Sequence, residues 1–138
     1  MIYLLDTNAV IAILKGQPLA VRTRLKRVAP KATAIALSSI VLFELWYGVA
    51  RSERQRENTE RLRIFLSGAI SVIPFDADDA ATAGEVRAAL EATGKPIDPY
   101  DLLIAAQALR LRATLVTANV SEFERVRGLV WQDWAAKR

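Results

Sequence analysis

Four short apolar runs punctuate this chain at wide intervals: IYLL at 2–5, TAIAL at 33–37, ISVIPF at 70–75 and ATLVT at 113–117. Near-continuous apolar runs of this length suit strands covered on both faces. The stretches between them are too long for hairpins and carry helical apolar spacing. Strand alternating with helix indicates an α/β domain whose mostly parallel sheet is flanked by helices. A fifth run, LVW at 129–131, brings the expectation to four or five short strands. At 138 residues the chain is expected to form one domain over residues 1–138.

The helices can be placed between these runs. AVIAIL at 9–14 reads as an apolar helix, and Val21, Leu25 and Val28 mark the inner face of a second one ending near Pro30. From Ala32 to Ala50 the only charge is Glu44, over a length of about 19 residues that approaches a membrane span. Ser38, Ser39, Gly48 and the central carboxylate would be costly in lipid, so the segment reads as a buried strand followed by a buried helix. Leu62, Phe65 and Leu66 predict a helix over 53–68, and Ala-rich 77–92 predicts another, closed by Gly94 and Pro96. Asp98-Pro99 opens a helix whose LLIAAQAL run is apolar nearly all round and therefore central. The N-terminus lacks the basic start of a signal peptide, and the expected location is cytoplasmic, away from membranes.

Two absences narrow the chemistry: the chain has no cysteine and no histidine. Thiol nucleophiles, Ser-His-Asp triads, imidazole bases and Cys/His zinc sites are excluded. An enzyme built from this chain must work with Asp, Glu, Lys, Tyr and bound metal ions. The net charge of +4 is unevenly spread, with Lys15, Arg22, Arg24, Lys26, Arg27 and Lys31 between Thr7 and Phe43 and no acid among them. Arg22, Arg24, Lys26 and Arg27 are candidate contacts to a nucleic-acid backbone, although charge alone favours a solvated helix face.

In parallel sheets ligands bind beyond the carboxyl ends of the strands, which directs attention to the residues just after each run. Asp6 ends the first strand, Glu44 lies in the helix after the second, and Asp101 opens the helix before the fourth. Asn119 and Glu122 follow that fourth strand. Carboxylates gathered at one end of a sheet repel one another unless a cation sits between them, and an oxygen-only donor set matches Mg²⁺ or Mn²⁺. Each residue has a structural role open to it as well. Asp6 can N-cap the first helix, Asp98 and Asp101 resemble a capping box, Ser121 and Glu124 resemble a capping pair, and Asn119 suits a turn. Glu44 needs a partner to justify its burial.

Four segments together resemble the PIN-domain family, specifically its VapC-type toxins: LLDTN at 4–8, SSIVLFELWYG at 38–48, GKPIDPYDLLIAAQAL at 94–109 and LVTANVSEFERVRGLVWQDW at 115–134. The resemblance implies an endoribonuclease dependent on Mg²⁺ or Mn²⁺, the toxin half of a toxin–antitoxin pair, working as a homodimer on RNA, with tRNA as a candidate substrate. It matches Asp6, Glu44 and Asp101 to the family's metal-site acids, with Asp6 and Asp101 as direct ligands. Asn119 stands where many relatives carry a fourth acid. Thr7, Asn8, Ser38, Thr117 and Glu122 match supporting polar residues, whereas Asp98 departs from a common Gly. Two other readings stay open: a HAD-like Mg²⁺ phosphatase, which would need a second Asp where Asn8 stands, and a non-catalytic RNA-binding module with a structural metal.

Overall fold

The computed structural model describes residues 1–136, so the last two residues of the expected 1–138 domain lie outside the described part. The apolar runs form β1 (Ile2–Leu5), β2 (Ala34–Ser38), β3 (Ile70–Ile73), β4 (Thr114–Val116) and β5 (Val130–Gln132). They pair in the order β3-β2-β1-β4-β5, and every pairing is parallel. Burial follows that order. All three residues of β4 and the last four of β2 are buried, as are Leu4 and Leu5 of β1, whereas the edge strands β3 and β5 are half open.

The connecting helices are α1 (Thr7–Lys15), α2 (Leu19–Val28), α3 (Ser39–Ala50), α4 (Gln55–Ser67), α5 (Ala77–Ala92), α6 (Pro99–Leu111) and the short α7 (Val120–Phe123). Pro30 falls in a 3-10 turn over Ala29–Lys31, which ends the second helix two residues before the proline. α6 is the central helix that its composition predicts, with Leu102, Ile104, Ala105, Ala106, Gln107 and Ala108 all buried. The Gln107 amide donates to the carbonyls of Ile73 and Pro74, each at 3.1 Å, and ties the end of β3 to this helix. Arg110 of α6 pairs with the fully buried Asp79 of α5, whose carboxylate also closes a capping box with Asp76. Removal of Arg110 would leave the Asp79 carboxylate buried without its cation.

One expectation needs correction. The segment after β2 is a helix, but not a buried one: only Val41 and Leu45 of α3 are buried, while Phe43 and Tyr47 are exposed. The helix covers the sheet with one face only, so Phe43 and Tyr47 stand in water while Trp46 is half-buried against the core. Among the described residues no helix is long and apolar enough to cross a membrane.

The sheet reverses its order at β1. From there the chain fills β2 and β3 on one side and β4 and β5 on the other. Such a reversal opens a crevice beyond the carboxyl ends of the two adjoining strands, here bounded by Asp6 after β1 and Thr117 after β4.

Candidate active site

Asp6 leaves β1 and caps α1, accepting the Ala9 N–H at 2.8 Å. Its neighbour across the crevice, the buried Thr117, donates a second hydrogen bond. Both interactions favour the carboxylate, yet burial outweighs them. With Glu44 and Asp133 adding like charge, the Asp6 carboxyl is pushed up to about 6. The cap and the ligand readings of Asp6 are therefore compatible: one oxygen holds the helix while the residue stays under electrostatic tension.

Glu44 has the partner that its burial requires. Thr7, the first residue of α1, donates from Oγ1 to Glu44 Oε1 at 2.7 Å and fastens α3 to the loop that carries Asp6. Ser38 ends β2 as the N-cap of α3, accepting the Ile40 N–H at 3.0 Å. Asn8 projects from the first turn of α1 and is exposed.

At Asp101 the expected capping box is only half present. Asp98 caps α6 by accepting the Tyr100 and Asp101 N–H groups at 2.9 and 3.2 Å. The reciprocal bond to the Asp98 N–H comes from Glu122, at 3.4 Å, rather than from Asp101. Asp101 is left to the site. Its carboxyl is pushed up to about 8, first by burial, then by donating a proton to Glu122, then by the charges of Glu122, Asp98 and Asp6. Glu122 is held below its ordinary range by that same hydrogen bond, so the pair shares one proton that resides on Asp101. The Asn119 amide bridges the two, donating to Glu122 Oε2 at 2.8 Å and to Asp101 Oδ2 at 3.3 Å.

The expected Ser121–Glu124 capping pair does not form. α7 begins at Val120, which puts Ser121 inside the helix, because Thr117 Oγ1 accepts the Asn119 N–H at 2.9 Å and sets the turn earlier.

One acid escapes the sequence reading. Asp133 follows β5, adds negative charge at Asp6, and lines a cavity of about 280 Å³ with Asn8, Ala9, Thr117 and the buried Trp134. The strand-end rule that finds Asp6 also reaches Asp133, one residue beyond the fifth strand.

The candidate RNA contacts divide. Arg22 turns inward: its guanidinium donates to the Ile13 and Leu14 carbonyls and closes the C-terminus of α1 beside Gly16. Gly16 sits at φ +70°, and a Cβ there would stand 2.9 Å from the Arg22 guanidinium. Lys26 and Arg27 are exposed and Arg24 is half-buried. Arg24 and Arg27 border a shallow groove with Trp134, next to Asp133.

The donors are all oxygens or amides, and burial with mutual repulsion holds Asp6 and Asp101 partly protonated, as suits a hard cation that would take the protons' place. Among the described residues no three carboxylates already stand together as a cage. Asp6 is turned onto α1 and Asp101 onto Glu122, so an ion would have to draw them together.

A description of the PIN domain matches residues 3–129. The chain belongs to the PIN-domain family. This PIN domain is 42% identical to Ribonuclease VapC2 of Rickettsia felis, over 97% of this chain and 98% of that one. It is 38% identical to the tRNA(fMet)-specific endonuclease VapC of Shigella flexneri, over 96% and 98% of the two chains. Among solved structures, VapBC2 from Rickettsia felis bound to a promoter DNA fragment superposes with a TM-score of 0.90 at 42% identity, covering 97% of this chain and 99% of that one. PIN-domain nucleases depend on divalent metal. The phosphatase alternative has no footing in this PIN domain, where the residue two beyond Asp6 is the exposed Asn8.

Proposed function

We propose that this PIN domain is a Mg²⁺- or Mn²⁺-dependent endoribonuclease, the toxin of a type II toxin–antitoxin pair, acting on tRNA in the cytoplasm as a homodimer. The observation that carries the reading is electrostatic: Glu44 raises the Asp6 carboxyl and Asp6 raises that of Asp101, near the carboxyl ends of the sheet, in a chain without histidine or cysteine. Relatives named as ribonucleases support the reaction class, and the tRNA(fMet)-specific relatives support the substrate. Toxin–antitoxin complexes among the solved relatives support a protein partner.

Asp6 and Asp101 would hold the ion directly. Bound there, a divalent ion neutralises charge on a phosphodiester and lowers the pKa of its water, supplying a nucleophile without an imidazole. As a ligand, Asp101 would give up the proton it shares with Glu122, and Glu122 with Asn119 would keep its carboxylate oriented. Glu44, anchored by Thr7, would orient the attacking water. Thr117 fixes Asp6. The partner's route to inhibition follows from the charge: an extended segment bearing a basic side chain would satisfy the same acids.

Incubation of the purified protein with total RNA and Mg²⁺, followed by mapping of the new ends, tests the reading. Cleavage that stops with EDTA and with Asp6→Asn or Asp101→Asn is expected. Undiminished cleavage in either variant overturns the site.

A further inference from the structure

The two helices that carry Glu44 and Asp101 also carry an aromatic pair that this chemistry leaves unused. Phe43 precedes Glu44 on α3 and Tyr100 precedes Asp101 on α6. Their rings meet across the two helices with centroids 5.8 Å apart and planes tilted by 53°. Phe43 is 52% exposed and Tyr100 44%, so both rings keep broad areas in water. One turn further along α3, the exposed Tyr47 carries the Arg51 guanidinium 5.4 Å from its ring centroid. Phe43, Tyr47 and Arg51 lie four residues apart and form one stripe leading away from the acids.

We propose that Phe43 and Tyr100 form a stacking platform for an unpaired nucleobase beside the scissile phosphate, with Arg51 meeting a neighbouring backbone phosphate. The proposal rests on the ribonuclease reading above and adds how the substrate is held. Unpaired RNA bases stack on exposed aromatic faces, and a guanidinium serves the backbone between them. The residue before an acid has its Cα only about 3.8 Å from the acid's own, so the ring pair stands beside Glu44 and Asp101 without covering them. A second copy is a poorer occupant: a two-fold contact here would press Glu44 and Asp101 of both copies together, like charge on like charge. A strand of RNA meets those acids through the bridging ion instead.

The test uses an RNA that the wild-type protein cleaves, under steady-state conditions with Mg²⁺. Phe43→Ala and Tyr100→Ala are expected to raise KM about tenfold or more with kcat nearly unchanged, and Phe43→Trp to restore it. An abasic nucleotide beside the cleaved bond should raise the wild-type KM similarly, yet add nothing in Phe43→Ala. Unchanged KM in folded alanine variants, or an abasic penalty that simply adds to theirs, overturns the platform. Unchanged KM with a dimer-to-monomer shift in sedimentation overturns it in favour of an interface between copies. Unchanged KM with weakened antitoxin binding overturns it in favour of that partner. Failure of the wild type to cleave any RNA would instead refute the ribonuclease reading itself.

Discussion

Asp6 shows how one side chain can serve the fold and oppose it at once. Its capping bond to Ala9 and the bond from Thr117 stabilise the start of α1, while burial beside Glu44 and Asp133 destabilises the charged form. Magnitudes decide the balance. Loss of a charge at a helix N-terminus costs ~0.3–1 kcal/mol, and Asn retains the capping oxygen. Release of a carboxyl pushed from 3.8 to about 6 is worth on the order of 3 kcal/mol when it is ionised. Metal-free Asp6→Asn is therefore expected to melt above the wild type at pH 8 and at or below it at pH 4, where both side chains are neutral. Added Mg²⁺ should raise the wild-type melting temperature and leave the variant nearly unmoved. A variant that melts lower at pH 8 and still gains the full metal shift would make Asp6 a cap alone. At this scale the sequence points to Asp6, Glu44 and Asp101 through their places after or before strands, and misses Asp133. It did not expose their pairings: that Glu122, rather than Asp101, answers Asp98 depends on a contact between α6 and the turn after β4, which no local spacing encodes.

The elements were legible wherever burial is two-sided. β1, β2, β4 and α6 are apolar along most of their length, and their positions follow from the pattern alone. α3 is less buried than its composition implies, because a stretch with a single charge from Ala32 to Ala50 has the look of core although only Val41 and Leu45 of the helix are buried. α2 was read correctly as a helix with a basic outer face, but its members have different tasks. Arg22 closes α1 through carbonyls of Ile13 and Leu14, so Arg22→Ala should destabilise the fold by ~1–2 kcal/mol in thermal or denaturant unfolding. Lys26 and Arg27 are exposed, so Lys26→Glu with Arg27→Glu should leave unfolding within ~0.5 kcal/mol of wild type while weakening RNA binding. The salt dependence of binding should flatten by roughly one unit of slope per lost phosphate contact. Equal affinity and slope in wild type and double variant would return those residues to a plain solvated face.

For the whole molecule, the raised carboxyls tie folding, metal and pH together. Asp6 at about 6 and Asp101 at about 8 keep protons in the folded state that the unfolded chain has released from about 3.8 upward. The folded state thus binds more protons across this window, and the stability of the metal-free protein falls as pH rises from about 4 to about 8. Glu122 and Asp76 act in the opposite sense, since both are held below their ordinary ranges. Their contribution is present above those ranges and is lost only as pH drops below about 4, so it does not offset the decline at higher pH. Metal-free stability should therefore peak between these limits, near pH 4–5. A divalent ion replaces the retained protons, so its binding should release protons and tighten as pH climbs toward 8. Thermal melts from pH 4 to pH 8.5 with EDTA, repeated with saturating Mg²⁺, follow both effects. The expected outcome is a metal-free curve that descends above pH 5, a metal-bound curve that stays level or rises, and a widening gap between them. Calorimetric titrations in two buffers of different ionisation enthalpy would count the protons released near pH 7. A metal shift independent of pH, with no proton release, would mean that the ion is held by groups other than Asp6 and Asp101.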